Sequence, residues 1–135
     1  MTEKIRVTGL KELRKGLKEA DATFPKQLQK ANKRIAEELV PEARSRMAGH
    51  SPRAGSRAIG TIRALASGTR AQLAGGTAAV PWYGGHEWGS IRYRQFPAKN
   101  SDGYALYPAI TANRERMVER YGEMLDELLR TAFPG

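Results

Sequence analysis

The sequence predicts an α+β fold in which a long N-terminal amphipathic helix and a C-terminal helix pack on a small antiparallel β-sheet. Two observations lead to this prediction. Apolar residues recur at helical spacing from Leu28 to Met47 and again from Ile110 to Leu128. Between these stretches, short apolar segments alternate with Gly, Ser and Pro, which is typical of strands joined by turns. Helices at both ends with strands between them indicate helices packed on one sheet.

Length and composition indicate one globular domain. The chain has 135 residues, of which 40% are hydrophobic and 27% are charged, so we expect a single folded domain over residues 1–135. No apolar run approaches the roughly 20 residues that a membrane-spanning helix needs. The N-terminal segment MTEKIRVTGLKEL lacks the apolar stretch of a secretion signal. We therefore expect a protein that is made in a cytoplasm and has no membrane partner.

The first part of the chain contains a short strand and two helical patterns. Ile5 and Val7 alternate with charged residues and predict a strand. A short helix is predicted after a Thr8 cap from the spacing of three apolar residues: Leu10, Leu13 and Leu17. Phe24 and Pro25 interrupt that pattern, and Pro suits the first turn of a new helix. The long helix that follows has one apolar stripe, formed by Leu28, Ala31, Ile35, Leu39, Ala43 and Met47.

Pro41 lies inside this long helix, where it removes a backbone donor. We therefore expect the helix to be kinked or broken near Leu39, so that it forms either one helix or two.

The middle of the chain predicts loops and short strands. Residues 49–57 combine Gly, Pro, Ser and Arg without periodicity and predict a mobile basic loop. Residues 58–66 and 69–73 flank Ser-Gly and predict a β-hairpin, and residues 78–83 predict an edge strand because they contain Pro81. Residues 90–102 predict a long exposed loop, and Pro108 opens the last helix.

Residue types exclude several kinds of chemistry. The chain has no cysteine and two histidines, so we expect no disulfide, no metal site and no cofactor. His86 and Glu87 match the start of the zinc-protease signature, but position 90 is Ser where the second His would stand, and the surrounding glycines argue against a helix. No nucleophile-elbow serine and no phosphate-binding glycine loop is present. We therefore predict no catalytic residues.

Positive charge is concentrated in one part of the chain. The net charge is +9, and no carboxylate occurs between Glu42 and Glu87. Six arginines fall inside that stretch: Arg44, Arg46, Arg53, Arg57, Arg63 and Arg70. They form either an ordinary solvated surface or a positive face that contacts DNA phosphates without reading bases. The same residues could instead pair with acidic patches on partner proteins.

Aromatic residues cluster between positions 82 and 107. The cluster contains Trp82, Tyr83, Trp88, Tyr93, Phe96 and Tyr107, together with Tyr104. Such side chains dominate both protein cores and subunit interfaces, so each is either a core residue or a contact to another subunit.

The order of elements and two short motifs resemble the tail-completion or neck proteins of long-tailed, double-stranded-DNA bacteriophages. In that family an aromatic-containing strand leads to an acidic residue, an aromatic and a glycine, here Glu87, Trp88 and Gly89. A Pro-Ala-hydrophobic step begins the final helix, here Pro108, Ala109 and Ile110. The resemblance extends over nearly the whole chain, although Tyr107 stands where the family usually has Phe.

The resemblance implies a minor structural protein of the virion without catalytic activity. It implies assembly into a homo-oligomeric ring, expected to be a hexamer, that joins the connector of the head to the terminator or tube proteins of the tail. The ring would surround the DNA passage and touch DNA only transiently and without specificity.

Two other functions compete with this expectation. The charge of +9 suggests a small stand-alone nucleic-acid-binding protein. The second alternative is a ribonuclease-type toxin in which His86, Glu87 and nearby arginines do acid-base work.

Overall fold

The computed structural model describes residues 2–5, 12, 15, 24–67 and 70–132, and its fold is α+β as predicted. In chain order its elements are β1 (Thr2–Ile5), α1 (Phe24–His50), a 3₁₀ turn (Pro52–Ala54), α2 (Gly55–Gly60), β2 (Arg63–Ser67), β3 (Arg70–Ala74), α3 (Tyr83–Trp88), α4 (Leu106–Ala112) and α5 (Arg114–Ala132). The short helix predicted around Leu10, Leu13 and Leu17 lies outside the described residues.

Helix α1 forms because its apolar stripe is buried against the rest of the molecule. All six predicted stripe residues are buried: Leu28, Ala31, Ile35, Leu39, Ala43 and Met47. The helix begins at Phe24, with Pro25 in its first turn, as predicted. It continues through Pro41 to His50 as one helix, so of the two predicted alternatives, a kink or a break, the break does not occur. Pro41 is exposed, and burial of Leu39 and Ala43 on either side of it offsets the lost backbone hydrogen bond.

Within the described residues, the sheet contains three antiparallel strands in the order β1-β3-β2. Strands β2 and β3 form the predicted hairpin, in which Arg63 pairs with Ala74 and Ser67 pairs with Arg70. Strand β1 pairs with the other edge of β3. Helix α1 packs across β2 and β3, and Ala71 and Leu73 of β3 are fully buried in the core.

Residues 49–57 are largely helical, so the prediction of a mobile basic loop is wrong. Helix α1 reaches His50, a 3₁₀ turn follows, and α2 begins at Gly55. Ala54 and Ala58 are buried in the core, and their packing holds this segment against the other elements. Because α2 extends to Gly60, β2 begins at Arg63 and not near residue 58 as predicted.

The edge strand predicted over residues 78–83 does not form. One isolated bridge joins Thr77 to Val80, and α3 begins at Tyr83. Val80 and Tyr83 are buried three residues apart while Pro81 and Trp82 are exposed, which is the spacing of a helical turn. Residues 90–102 contain no helix or strand and are mostly exposed, as predicted.

The final helical region is divided at Asn113 into α4 and α5. The Asn113 side-chain amide donates to the carbonyl oxygen of Ala109 at 2.8 Å and to the Glu42 carboxylate of α1. This contact ends α4 and ties the junction to the long helix.

Helix α5 packs on α1 through Met117, Tyr121 and Leu128. Arg120 donates to Glu38 of α1 at 2.7 to 3.1 Å and to Glu123 at 2.7 Å. These hydrogen bonds raise the pKa of Arg120 above its ordinary value. Within the described residues, none of the helices combines the length and apolar character needed to cross a membrane.

Candidate functional site

A buried carboxylate, Glu87, lies where α3, the loop after it and α4 meet. Its side chain is 1% exposed. Oε2 accepts the backbone N–H groups of Tyr104 at 2.8 Å and Ala105 at 2.7 Å. Oε1 accepts the backbone N–H of Leu106 at 3.0 Å and the hydroxyl of Tyr83 at 2.9 Å. Both oxygens of this carboxylate are therefore occupied by donors from the protein itself.

Glu87 caps the N-terminus of α4, although it lies in another part of the chain. Helix α4 begins at Leu106, and the residue before it, Ala105, has no side-chain oxygen to satisfy the first backbone N–H groups. The Glu87 carboxylate supplies those acceptors and places negative charge at the positive end of α4. The arrangement fixes α4 to α3.

Tyr83 and Glu87 form a coupled pair on one face of α3. They are four residues apart, so the tyrosine hydroxyl reaches the carboxylate one helical turn away. Burial of Tyr83, and then the negative charge of Glu87, raise the pKa of the phenol well above its ordinary value. The ring is fully buried, and a Cβ at Gly75 would collide with it. The phenol is therefore a neutral hydrogen-bond donor.

Gly103 permits the loop to approach Glu87. Its φ is +85°, and a Cβ placed there would lie 2.8 Å from Oε2 of Glu87. A side chain at this position would be strained by the backbone angle and would also push against the carboxylate.

A second buried polar pair joins Ser51 and His86. Oγ of Ser51 lies 2.6 Å from Nδ1 of His86, and the two residues are 2% and 4% exposed. Phe96 packs its ring edge to face with the imidazole, with centroids 4.9 Å apart. Burial lowers the pKa of His86 below its ordinary value. This pair fixes the end of α1 to α3.

His86 and Glu87, the two residues considered for acid-base chemistry, thus make hydrogen bonds to other described residues of the fold. Helix α3 does form around His86 despite the glycines, but it ends at Trp88, before Ser90. The zinc-protease arrangement is therefore not formed. The described residues contain no group of three His, Asp or Glu side chains that could hold a metal ion.

A cleft of about 210 Å³ lies between the end of α1 and the loop of residues 90–102. Its lining consists of His50, Ser51, Arg53, Arg94, Gln95, Phe96 and Pro97. The two arginines come from distant parts of the sequence and share this cleft. Its described lining contains basic, neutral polar and apolar side chains, and no carboxylate.

Backbone hydrogen bonds fix the main chain at both arginines of the cleft. Arg53 lies in the 3₁₀ turn, which is closed by a 2.9 Å bond from Ala54 N–H to the carbonyl of Ser51. Arg94 lies in the turn closed by a 3.3 Å bond from Phe96 N–H to the carbonyl of Tyr93.

The ends of the loop are also fixed. Ser90 N–H donates to the carbonyl of Pro97 at 2.9 Å, and Asn100 N–H donates to the carbonyl of Trp88 at 2.8 Å. The ring of Tyr104, which follows the loop, stacks on His50 at 5.3 Å between centroids. The loop is exposed, yet it is anchored to α3 and to the end of α1.

Three of the six predicted arginines bind backbone carbonyls and, within the described residues, no carboxylate. Arg44 donates to Ile62 at 2.8 Å and weakly to Gly60, at the end of α2. Arg63 donates to Thr61 at 2.9 Å and Gly76 at 3.1 Å. Arg57 lies 5.5 Å from the centroid of the Trp82 ring and near the carbonyl of Ala79. These residues support the turns around the sheet while keeping their positive charge.

The other three arginines differ in their surroundings. Arg46 is half-buried and lies 3.6 Å from the carboxylate of Glu42. Arg53 and Arg70 are exposed, and neither forms an ion pair with a carboxylate among the described residues.

The aromatic cluster separates into inner and outer members. Tyr83 is a core residue, while Trp88 and Phe96 are half-buried where the loop meets α3. Trp82, Tyr93 and Tyr107 are exposed to 38%, 50% and 41%.

Of the second motif, Ala109 is fully buried, and Pro108 and Ile110 are partly buried on the same short helix. Gly89 has φ +71° and lies against the backbone of Ala98.

Glu87 could be identified from the sequence as a motif residue, but its hydrogen bonds to Tyr83 and to the start of α4 could not. Ser51 lies 35 residues from its partner His86, and no local pattern connects the two. Comparisons of the chain with models of known families, with curated proteins and with solved structures yield no match.

Proposed function

We propose that this protein is a non-enzymatic structural subunit of the head–tail junction of a long-tailed bacteriophage. In this proposal, copies form a ring, expected to be a hexamer, between the head connector and the terminator or tube of the tail. The ring surrounds the DNA passage and is assembled in the host cytoplasm before it becomes part of the virion. Contact with DNA is transient and independent of sequence.

The observation that carries the proposal is the connection between the two motifs of the resemblance. Glu87 of the first motif accepts the backbone N–H of Leu106, which begins the helix holding Pro108, Ala109 and Ile110. The motif residues therefore build one rigid part of the scaffold. The Glu87 carboxylate makes its hydrogen bonds within the fold, which supports a structural role for this acidic residue.

Exposed apolar side chains support assembly with other subunits. Ile91 is 87% exposed in the loop of residues 90–102, and Val118 is 68% exposed on α5. Closed rings of more than two copies need two different surfaces on each copy, because each subunit contacts its neighbours head to tail. The loop and the outer side of α5 supply apolar groups on two separate elements.

Deleting the gene from the phage tests the proposal. Negative-stain electron microscopy of the lysate should then show DNA-filled heads and separate tails. Wild-type protein supplied from a plasmid should restore joined particles, whereas Ile91→Asp should not. Ser101→Asp is the matched control, because it adds the same charge to the same loop at an exposed polar position. Joined, infectious particles in the deletion strain would contradict the proposal.

A stand-alone nucleic-acid-binding protein is the second candidate. It is favoured by the arginines that lack carboxylate partners among the described residues. This candidate predicts that the isolated monomer binds duplex DNA with a sub-micromolar Kd at physiological salt, which is tighter than is usual for non-specific contacts. Under the ring proposal, the isolated monomer should bind far more weakly at that salt concentration.

A further inference from the structure

The structure divides the arginines into those held by the fold and those available to a ligand. Arg44, Arg57 and Arg63 donate to backbone carbonyls, and Arg46 lies beside Glu42. Within the described residues, Arg53 has neither kind of partner and is exposed. Its neighbour across the cleft, Arg94, is also exposed and has no carboxylate beside it. Sequence position alone does not bring these two residues together.

We propose that the cleft lined by Arg53 and Arg94 is a binding site for phosphate groups of a nucleic-acid backbone. Guanidinium groups present planar, paired donors that match phosphate oxygens. Gln95 and His50 line the same cleft and offer further polar contacts. The described lining contains no carboxylate that would repel an anion. Two hydrogen-bonded turns fix the backbone at both arginines, so the two side chains extend from fixed positions beside the cleft.

The charge around the cleft favours a polyanion over a single carboxylate of a protein partner. The chain carries a net charge of +9, and no acidic residue occurs between Glu42 and Glu87. Positive charge therefore extends along the chain on both sides of Arg53, which suits phosphates that repeat at short intervals along a nucleic acid. No motif that reads base edges is present, so the expected contact is independent of sequence.

This inference rests on the proposed function, because it names the residues that would contact DNA. The cleft itself is formed within one chain, so binding there does not require that the ring has assembled. Its failure can therefore be separated from failure of the ring. Binding by the purified chain tests the cleft, whereas the gene deletion tests the junction role.

The test measures binding of the full chain to a labelled 20-base-pair duplex by fluorescence anisotropy over a range of salt concentrations. Arg53→Ala/Arg94→Ala should weaken binding at least about tenfold at low salt. It should also reduce the slope of log K against log salt by about 2, one for each lost phosphate contact. Both side chains are exposed, so the variant should unfold at the same urea concentration as the wild type.

The matched control is Arg34→Ala/Arg130→Ala. It removes the same two charges at exposed helix positions outside the cleft. This control should weaken binding less than about threefold, because it lowers only the general field of the protein. Equal losses in the two double variants would overturn the proposal, since net charge alone would then explain binding.

Two further probes distinguish the source of the anion. Inorganic phosphate is titrated while the arginine side-chain N–H signals of Arg53 and Arg94 are followed by NMR. Shifts with free phosphate but no cleft-dependent duplex binding would overturn the nucleic-acid proposal and assign the cleft to a small phosphate ligand instead. A polyglutamate peptide tests the alternative of a protein carboxylate. Dependence on Arg53 and Arg94 for this peptide alone, or for none of the probes, would overturn the proposal.

Discussion

The carboxylate of Glu87 accepts the backbone N–H of Leu106 at 3.0 Å, across 19 positions of the chain. One side chain thus closes the exposed loop between α3 and α4 and caps the helix that follows it. Backbone hydrogen bonds from Ser90 to Pro97 and from Asn100 to Trp88 also hold the loop, which exposes residues such as Ile91. The hydrogen bonds of Glu87 therefore both stabilise the fold and help to hold the exposed loop of residues 90–102 in place.

Replacing Glu87 by Gln should destabilise the fold by about 2 to 4 kcal/mol. The amide keeps one acceptor oxygen but places an NH₂ group against buried backbone donors, which then lose their partner. Urea unfolding followed by circular dichroism measures the effect. Glu115→Gln, at an exposed position of α5, is the control and should change stability by less than about 0.5 kcal/mol. A loss below about 1 kcal/mol for Glu87→Gln would contradict the capping role.

Gly103→Ala should cost about 1 to 3 kcal/mol. The residue has φ +85°, and the added Cβ would lie 2.8 Å from Oε2 of Glu87. Gly122→Ala is the matched control, because no atom lies within 4 Å of a Cβ placed there and the residue is inside α5. This control should raise stability by about 0.5 to 1 kcal/mol. Thermal unfolding of both variants checks the prediction, and similar effects in the two would refute it.

Two buried tyrosines should respond differently to loss of their hydroxyl. The hydroxyl of Tyr83 donates to Glu87, so Tyr83→Phe should cost about 1 to 2 kcal/mol. The hydroxyl of Tyr121 has no hydrogen-bond partner among the described residues, and burial raises its pKa to about 12. Tyr121→Phe should therefore leave stability unchanged or raise it by up to about 1 kcal/mol. A larger loss for Tyr121→Phe than for Tyr83→Phe in urea unfolding would be inconsistent with this arrangement.

Stability should fall on acidification because of His86. Burial lowers the pKa of His86 in the folded state, whereas the unfolded chain takes up its proton near the ordinary value of 6.5. The unfolded state therefore binds more protons than the folded state between these two pKa values. The free energy of unfolding consequently decreases as the pH drops below about 6.5. His86→Gln should remove this part of the pH dependence, while His50→Gln, at an exposed position, should retain it. Urea unfolding at pH 7.5 and pH 5 measures the difference, and identical pH profiles for wild type and His86→Gln would refute the prediction.

Elements with a long regular pattern could be predicted from the sequence. The stripe from Leu28 to Met47 is a buried helix face, and the two segments predicted to form a hairpin contain paired strands. Repeated burial at one spacing gives a strong signal because many residues contribute to it. The break at Asn113 was missed since the apolar spacing continues across it, and the break depends on a contact with Glu42 in a different helix.

Helix α3 could not be predicted from the sequence, for a different physical reason. Its sequence Tyr-Gly-Gly-His-Glu-Trp has low helix propensity because of the two glycines. The helix is stabilised instead by tertiary contacts, since Tyr83, His86 and Glu87 are all buried and bonded or packed against distant residues. The glycines also make room, because a Cβ at Gly85 would lie 2.5 Å from the ring of Phe96. Local propensity cannot reveal contacts of this kind.

The candidate site was likewise only partly visible in the sequence. The stretch of arginines without carboxylates was apparent, but the division between arginines bound to carbonyls and the exposed Arg53 depends on the folded backbone. Arg94 joins Arg53 only because the loop of residues 90–102 folds back beside the end of α1.

The most direct test of the central claim is cryo-electron microscopy of the neck of purified virions. Density that fits this chain should form a ring between the head connector and the tail, with the loop of residues 90–102 at a contact with another subunit. The cleft at Arg53 and Arg94 should then be accessible from the DNA passage. Complete density for the neck in which no part fits this chain would contradict the account.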